Sequence, residues 1–347
     1  MKTAIRLRNS IRKINKSSEG IKLDKIRCLI PIESKRQRSK ILNRLKGLSN
    51  YPADGSDNLL IRINKRDPDK ISVGGLIYQN NYNLKYGEVG SRQIARIGMA
   101  PNSASINSHH MSIELNPSII TSNGQVVCQD ENQILLGKAL KEILGLNVYH
   151  SLIENTIISR LDHAIDLFNI HIYDLFISKK GVKVVSIIPK GSEYCFAETI
   201  IHGSYSIECL VKLYNKLIET NGKFDELDKE WTRCELVDKR GKKQLWTPAN
   251  LQEKLAEYNP FADIIFYPSG LRRLMSMHST KLSKKEIHAF ASSVDKYGIN
   301  RALNSLDDNE KYKFNKILAD FPQYQISDDA WNKYVSSIER YFRFLRQ

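Results

Sequence analysis

Two kinds of hydrophobic pattern divide the chain near residue 245. Before that point, apolar and polar residues alternate in short runs, which is typical of half-buried β-strands. After it, apolar residues recur at helical spacing. The strands predicted in this way cover residues 21–31, 59–63, 70–77, 93–97, 110–115, 156–167, 183–188, 194–201, 210–216 and 233–237. The sequence therefore predicts an α+β fold, in which an antiparallel sheet is followed by an all-helical C-terminal region.

Cap residues predict where the helices begin and end. Residues 130–144 form the clearest helix, with Asp130 as its cap and Gly145 as its stop. In the last hundred residues, Thr247-Pro248 and the capping box Ser283-x-x-Glu286 mark two helix starts. Further helices are predicted at residues 35–48, 308–319 and 327–345. The predicted division is a flexible basic arm at 1–20, an α+β domain at 21–245 and a helical domain at 246–347.

The composition is that of a globular protein, with 41% hydrophobic and 26% charged residues in 347 positions. No apolar run reaches the roughly 18 residues of a membrane span, and the N-terminus has no apolar core of a secretory signal. The five cysteines lie far apart without a CxxC pair, which argues against a zinc site or disulfides. A reducing cytoplasm is the expected location.

The positive charge is concentrated at the N-terminus. Residues 1–50 hold 15 Lys and Arg but three acids, so most of the net charge of +15 lies there. A basic segment of this kind favours polyanions, most often nucleic acid, and Arg6, Arg8, Arg12 and Lys13 are its candidate DNA contacts. A solvated tail without a dedicated partner and a membrane-surface helix are the alternatives.

A tyrosine set between lysines is the most distinctive chemical feature. If residues 210–216 form a strand, Lys212, Tyr214 and Lys216 share one face and Val211 and Leu213 take the other. Cations beside a phenol lower its pKa and neutralise the charge that builds on a phosphodiester under attack. These three residues are therefore the candidate catalytic group.

Two other interpretations of this segment stay open. The tyrosine can be a half-buried residue of an ordinary strand, since lysines often line a solvated face. Leu210, Leu213, Tyr214, Leu217 and Ile218 also fall at helical spacing, which would turn the tyrosine inward.

Carboxylates recur on the polar faces of the predicted strands. Their oxygens are the hard ligands that Mg²⁺ or Mn²⁺ prefers. The candidate metal ligands are Glu114, Asp162, Asp166 and Glu235, with Arg160 and Arg233 as candidate DNA contacts beside them. Salt bridges on a solvated face, or for Glu114 a strand-end charge, are the alternatives. His163 falls on an apolar face and is predicted to be a core histidine.

The order of these segments resembles the gene II protein type of replication initiators from filamentous single-stranded DNA phages. An early strand at 23–32 precedes the motifs that carry the resemblance, and a helix lies between the first two of them. They are Ser112-Ile-Glu-Leu-Asn-Pro-Ser118, Ile158-Ser-Arg-Leu-Asp162, Leu210-Val-Lys-Leu-Tyr-Asn-Lys216 and Arg233-Cys-Glu-Leu236. The resemblance spans roughly residues 21–245, and the shared order of short motifs makes it specific. The wider rolling-circle class often has a His-hydrophobic-His metal pair that this sequence lacks.

The resemblance implies a rolling-circle replication initiator. Tyr214 would nick one strand of a double-stranded origin, form a 5′-phosphotyrosine link, leave a 3′-hydroxyl primer and later rejoin the displaced strand. Mg²⁺ or Mn²⁺ would be the cofactor. The expected partners are origin DNA, host helicase, polymerase and single-strand-binding protein, without a membrane, in the cytoplasm of a bacterial host, with a homo-oligomer as an option. A non-catalytic origin-binding initiator, a relaxase- or transposase-type tyrosine nuclease and an RNA-binding protein are the rivals.

Overall fold

The structure, a computed structural model, describes most of the chain. The described residues are 2–17, 19–49, 64–65, 80–86, 92–99, 110–120, 126–179, 185–189, 197–203, 208–219, 230–268, 282–297, 299–319 and 322–346. The strands are β1 (Lys22–Pro31), β2 (Asn64–Lys65), β3 (Asn80–Tyr86), β4 (Arg92–Met99), β5 (His110–Leu115), β6 (Ser118–Ile120), β7 (Val126–Cys128), β8 (Ile157–Phe168), β9 (Leu175–Lys179), β10 (Val185–Pro189), β11 (Ala197–His202), β12 (Cys209–Asn215), β13 (Trp231–Asp238) and β14 (Ile264–Pro268).

The helices flank these strands along the whole chain. They are α1 (Lys2–Lys16), α2 (Lys35–Ser49), α3 (Asp130–Leu144), α4 (Leu146–His150), α5 (Leu152–Asn155), α6 (Lys216–Glu219), α7 (Leu251–Ala256), α8 (Lys284–Tyr297), α9 (Ile299–Asn304), α10 (Asp308–Ala319) and α11 (Asp328–Ser336). Within the described residues, 3₁₀ segments lie at Ile172–Asp174, Arg240–Lys242 and Ile338–Leu345. None of the helices in the described ranges combines the length and apolar character that a bilayer-spanning helix needs.

One large antiparallel sheet organises the fold. In the described part of the chain it has ten strands in the order β10-β11-β12-β13-β8-β1-β5-β4-β3-β2, and β14-β9 and β6-β7 form two small sheets. Neighbouring strands pair antiparallel throughout the large sheet. The predicted α+β fold with an antiparallel sheet is therefore confirmed.

One face of the large sheet is buried under helices. The main hydrophobic cluster joins β8, through Leu161 and Ile165, to α3, through Leu140, and to α11, through Trp331. Burial of such side chains stabilises a fold by roughly 25 cal/mol per Å² of apolar surface. The opposite face of the central strands is consequently left for polar side chains.

The predicted flexible arm at residues 1–20 is wrong, because α1 is docked on the protein. Leu7, Ile11 and Ile14 lie one helical turn apart, and their exposure is 0%, 3% and 5%. They belong to the main hydrophobic cluster, and Asn15 bonds to the backbone of Gln325 across the chain. The high density of charge in this segment hides an apolar stripe at helical spacing.

The C-terminal region is not all-helical, because it contributes strand β14. This strand pairs with β9 and extends the backbone pairing to Tyr324. The main hydrophobic cluster runs from Leu7 to Leu345 and so crosses both predicted domain boundaries. A second cluster packs α8, α9 and α10 together and includes Phe290 stacked on Phe314.

Helix boundaries agree with the cap chemistry in some places and depart from it in others. The capping box is present, since Ser283 and Glu286 exchange hydrogen bonds. Gly145 follows α3 as its C-cap, but the N-cap is Gln129 and Asp130 lies inside the first turn. The helix predicted at Thr247-Pro248 begins later, at Leu251. The helix predicted at 327–345 is divided at Ser337 into α11 and a 3₁₀ segment.

The predicted strands also have mixed outcomes. Those at 59–63 and 70–77 lie outside the described residues. The eight others overlap β1, β4, β5, β8, β10, β11, β12 and β13, and the predicted hairpin is the antiparallel pair β10–β11. Strands β2, β3, β6, β7, β9 and β14 were missed because they are short or carry no clean alternation.

Candidate active site on the polar face of the sheet

Five neighbouring strands bring the predicted polar residues onto one face of the sheet. The strands β12, β13, β8, β1 and β5 are adjacent in that order. Their charged side chains are linked by ion pairs, so they project to the same side. This surface is called the polar face, and its residues are Lys22, Asp24, Lys25, Arg27, Glu114, Arg160, Asp162, Asp166, Lys212, Tyr214, Arg233 and Glu235. The prediction that these polar faces coincide is confirmed.

Two register shifts in the pairing of β1 with β8 determine which face these side chains point to. The register shifts between Leu23 and Lys25 and again between Arg27 and Cys28. A β-bulge of this kind inserts an extra residue and re-aims a side chain. The first shift places Lys22, Asp24 and Lys25 all in reach of the polar face. The second accompanies a change of face, since Ile158 lies in the main core and the neighbouring Ile157 is half-buried outside it.

The deepest part of the polar face is a four-residue ion network. The guanidinium of Arg233 donates to both carboxylate oxygens of Asp166, at 2.7 and 3.0 Å, and to Asp24. The ammonium of Lys22 donates to Asp166 as well. Burial raises the pKa of Asp166, but the charges of Arg233 and Lys22 act more strongly and hold it well below its usual range. Asp166 is therefore an anion with both oxygens occupied.

Tyr214 lies directly beside this network. It is opposite Arg233 on β13 and Thr199 on β11, and it is 8% exposed. The backbone at this position is a strand, so the helical interpretation of the segment is wrong. Its phenol contributes to the electrostatic environment of Arg233 and does not belong to any of the hydrophobic clusters among the described residues.

The two lysines that flank Tyr214 occupy different environments. Lys216 opens α6 instead of continuing the strand, and its Nζ lies 5.5 Å from the centre of the Tyr214 ring. Lys212 donates to Glu235 at 2.9 Å on the neighbouring strand. The positive groups nearest to the tyrosine are therefore Lys216 and Arg233, and the positive charge of Lys212 is largely neutralised.

A second pair of carboxylates lies between Arg160 and Lys212. Asp162 is fully buried and accepts two hydrogen bonds from Arg160, the first at 2.6 Å, while Glu235 bonds to Lys212. Burial and the charge of Glu235 raise the pKa of Asp162 to about 7, against the effect of Arg160. Burial raises the pKa of Glu235 as well, but Lys212 and the hydrogen bond from Asp162 bring it down to about 2. The balance of burial and neighbouring charge thus pushes the pKa values of the two carboxylates in opposite directions, upward for Asp162 and downward for Glu235.

Glu114 lies at the other end of the polar face, on β5. It accepts from Arg27, with Nε at 2.9 Å, and has Lys25 at 3.7 Å. Burial opposes ionisation, yet the charges of these two residues lower the pKa of Glu114. The alternative reading of an isolated strand-end charge is therefore wrong, because the carboxylate is part of an ion cluster.

The four predicted metal ligands do not converge on one point. No group of three or more His, Cys, Asp or Glu in the described ranges could hold a metal ion. Glu114, Asp162, Asp166 and Glu235 are each bonded to at least one Arg or Lys. A divalent cation needs free carboxylate oxygens, and this arrangement supplies its positive charge from side chains instead. The donor set as it stands does not fit Mg²⁺ or Mn²⁺.

The predicted DNA contacts near the N-terminus lie on the solvent side of α1. Arg6, Arg8, Arg12 and Lys13 are all exposed, and the helix carries no acidic residue in its first turn. Arg6 donates to the backbone of Asn169, which directly follows β8. The basic side of α1 is therefore anchored at the end of the strand that carries Asp166.

Sequence reasoning missed four residues of the polar face, all on β1. Lys22, Asp24, Lys25 and Arg27 were assigned to a strand without a functional role. The apolar positions of β1 skip from Leu23 to Ile26, and that break in the alternation was the available signal for a bulge. The charged residues around the break share the polar face for that reason.

The histidine predictions hold where the structure describes them. His163 is fully buried, packs edge-on against Trp331 and contacts Tyr334 Oη at 2.8 Å through Nδ1. Among the residues that the structure describes, its Nε2 has no hydrogen-bond partner, and burial lowers the pKa of the ring to about 4. It is a core residue on the helix-covered face.

Comparisons with known proteins give a likeness among solved structures, and it is of low similarity. No family model matches the chain, and no curated protein matches it. Among solved structures, the rolling circle replication initiator protein from Geobacillus stearothermophilus is similar, at 14% identity and a TM-score of 0.33. The alignment covers 76% of this chain and 90% of that one. Because this TM-score is low, the functional interpretation depends on the residues of the polar face.

Proposed function

We propose that the protein is a rolling-circle DNA replication initiator that nicks one strand of a double-stranded origin through Tyr214. The observation that carries this proposal is the position of Tyr214 on the polar face, opposite Arg233 and with Lys216 Nζ at 5.5 Å from its ring. A phenol beside two cations suits attack on a phosphodiester, whose negative charge those cations would stabilise.

The reaction would exchange one phosphodiester for another. The phenolic oxygen of Tyr214 forms a bond to phosphorus as its proton leaves to solvent, and the bond from phosphorus to the 3′ oxygen breaks. That oxygen takes up a proton and becomes the 3′-hydroxyl primer, while the 5′ phosphate stays on the tyrosine. Because one phosphodiester replaces another without hydrolysis, attack by a 3′-hydroxyl later reverses the step and rejoins the strand.

The ion network would prepare the site before DNA arrives. Arg233 is held by Asp166 and Asp24, which fixes its position beside the phenol. Fixed donors cost no reorganisation when charge develops in a transition state. Lys216 would approach the phosphate from the start of α6. Lys212, which is held by Glu235, would support β12, the strand that carries Tyr214.

The family resemblance implies that the reaction requires a metal ion, and this requirement is part of the proposal. The predicted cofactor is Mg²⁺ or Mn²⁺, with Glu114, Asp162, Asp166 and Glu235 as ligands. Since these carboxylates are bonded to cations, no step above is assigned to a metal. If an ion binds, the adjacent pair Asp162 and Glu235 is the best candidate, after release of Arg160 or Lys212.

The partners follow from the proposed reaction. Origin DNA would contact Arg160 and the exposed basic residues of α1. The predicted DNA contact Arg233 is 1% exposed, so it would act on the phosphate through its charge and not by direct contact. A host helicase, polymerase and single-strand-binding protein would extend and protect the strands in the bacterial cytoplasm. Assembly of several copies at one origin is compatible with this role.

The direct experiment is incubation of the full chain with supercoiled DNA that carries the replicon's intergenic region, with Mg²⁺ and in parallel with EDTA. The proposal predicts relaxed circles whose 5′ end at a unique position is linked to protein. Relaxation without a protein-linked end, or no cleavage of any candidate origin, would contradict it.

A non-catalytic origin-binding initiator is the second candidate. The observation in its favour is that Tyr214 is only 8% exposed, which leaves little of its surface open to a phosphate. The same experiment separates the two, because this candidate gives sequence-specific binding without any covalent adduct.

A further inference from the structure

A row of positive side chains crosses the polar face at the end opposite Tyr214. The strand register places Arg96 opposite Glu114, Glu114 opposite Arg27, and Arg27 opposite Arg160. Lys239 follows Asp238, whose partner is Leu161, so it lies at the same level as Arg160. The four basic residues, Arg96, Arg27, Arg160 and Lys239, are called the basic row, and Glu114 lies between Arg96 and Arg27. With strands about 4.8 Å apart, the row is about 19 Å long.

This arrangement is unusual because like charges face each other. Arg27 and Arg160 are direct cross-strand neighbours, and like charges in that position destabilise a sheet. Glu114 and Asp162 offset part of the repulsion through their bonds to Arg27 and Arg160. Burial lowers the pKa of Lys239, and the nearby charges of Arg160 and Lys212 lower it further.

The row is also accessible to a ligand. The side chain of Arg27 is 41% exposed and that of Arg160 is 18% exposed. Arg96 is exposed and Lys239 is half-buried. A linear polyanion laid across the strands would meet each of these groups in turn and relieve their mutual repulsion.

We propose that the basic row binds the phosphate backbone of single-stranded DNA that runs across the strands of the sheet. The row is one residue wide, which fits a single phosphate backbone better than the two backbones of a duplex. This proposal rests on the proposed function for one point only, which is that the polyanion is DNA. Arg160 and Asp166 are six residues apart on β8, about 20 Å, so the phosphates held here are several nucleotides from the one at Tyr214.

The test measures equilibrium binding of a fluorescent 20-nucleotide oligothymidine to the full chain that carries Tyr214→Phe, which prevents covalent trapping. In this background, Arg27→Gln and Lys239→Gln are compared with Lys333→Gln, an exposed lysine on α11. α11 packs on the opposite, helix-covered face. All three variants change the net charge equally.

Loss of one phosphate contact should reduce the slope of log affinity against log salt by about 0.7. At 0.1 M salt this slope corresponds to about fivefold weaker binding. Arg27→Gln and Lys239→Gln should each show both effects, and Lys333→Gln should show neither. Melting temperatures show whether the variants are folded. If Arg27→Gln is unstable, the comparison of Lys239→Gln with Lys333→Gln tests the proposal.

Equal affinity in Lys239→Gln and Lys333→Gln would overturn the inference, even if Tyr214 forms a covalent adduct with origin DNA. Failure of the nicking reaction can be told apart from failure of the basic row. Weaker binding in the row variants, together with no adduct from the wild-type chain, would support the row and contradict the proposed nicking reaction.

Discussion

Arg233 on β13 and Asp166 on β8 form a two-pronged ion pair, with Nε at 2.7 Å from one carboxylate oxygen and Nη2 at 3.0 Å from the other. They are direct cross-strand partners, and the two side chains are 1% and 2% exposed. Charges this deeply buried are tolerated only with partners on every side. Lys22 and Asp24 complete the set, so the network links β1, β8 and β13 beside Tyr214.

Removal of one charge from this network should destabilise the protein strongly. Asp166→Asn would leave Lys22 buried beside a neutral amide and Arg233 with Asp24 as its remaining charged partner, and breaking a buried pair costs about 3 to 5 kcal/mol. Urea unfolding measures the change. Glu142→Gln, which alters an exposed acid on α3, is the control and should stay within about 0.5 kcal/mol of wild type. A matching small effect for Asp166→Asn would show that the network does not support the fold.

His163 should make the protein sensitive to mild acid. Its pKa falls to about 4 in the folded chain because burial disfavours the charged ring, against about 6.5 when unfolded. Its contribution is present above pH 6.5 and is lost as the pH falls toward 4, where the unfolded chain binds the proton first. The difference amounts to about 3 kcal/mol.

The measurement compares unfolding free energies of wild type and His163→Phe between pH 7.5 and 4.5. The phenylalanine keeps a ring between Trp331 and Tyr334 but does not titrate. The free energy of the wild type should fall further than that of the variant as the pH drops. Parallel curves would mean that the histidine is not buried in its neutral form.

The docking of α1 gives separate predictions for stability and for DNA binding. Ile11 is 3% exposed in the main core, so Ile11→Ala should cost about 2 to 5 kcal/mol of stability. The neighbouring Arg12 is exposed, and Arg12→Ala should leave stability unchanged while it weakens DNA binding. Urea unfolding and oligonucleotide titration on both variants check this. If Ile11→Ala has no effect, the first 20 residues are a free arm after all.

Much of the sheet could be predicted from the sequence because its strands alternate cleanly. The β8 segment is one example, since its apolar and charged positions specify two faces before any partner strand is known. The same alternation placed Tyr214, Arg160, Asp162 and Glu235 on polar faces. That these faces coincide could only be supposed, because strand order depends on contacts between residues far apart in the chain.

The ion pairing of the site could not be predicted in the same way. Whether Asp166 serves a metal or pairs with Arg233 depends on the β1 bulge, which brings Lys22 to Asp166 and Asp24 to Arg233. Bulges shift register by one residue and leave a weak trace in the sequence. The helix α1 was missed for a different reason, since Leu7, Ile11 and Ile14 are outnumbered by charged neighbours whose composition suggested disorder.

The identity of the residue that carries the DNA tests the central claim most directly. Wild type, Tyr214→Phe and Tyr312→Phe, which changes a tyrosine that is 70% exposed, are incubated with origin DNA, digested with protease and nuclease, and mapped by mass spectrometry. The account predicts a nucleotide-linked peptide that contains Tyr214 in wild type and Tyr312→Phe, and none in Tyr214→Phe. An adduct on another residue, or an undiminished adduct in Tyr214→Phe, would contradict it.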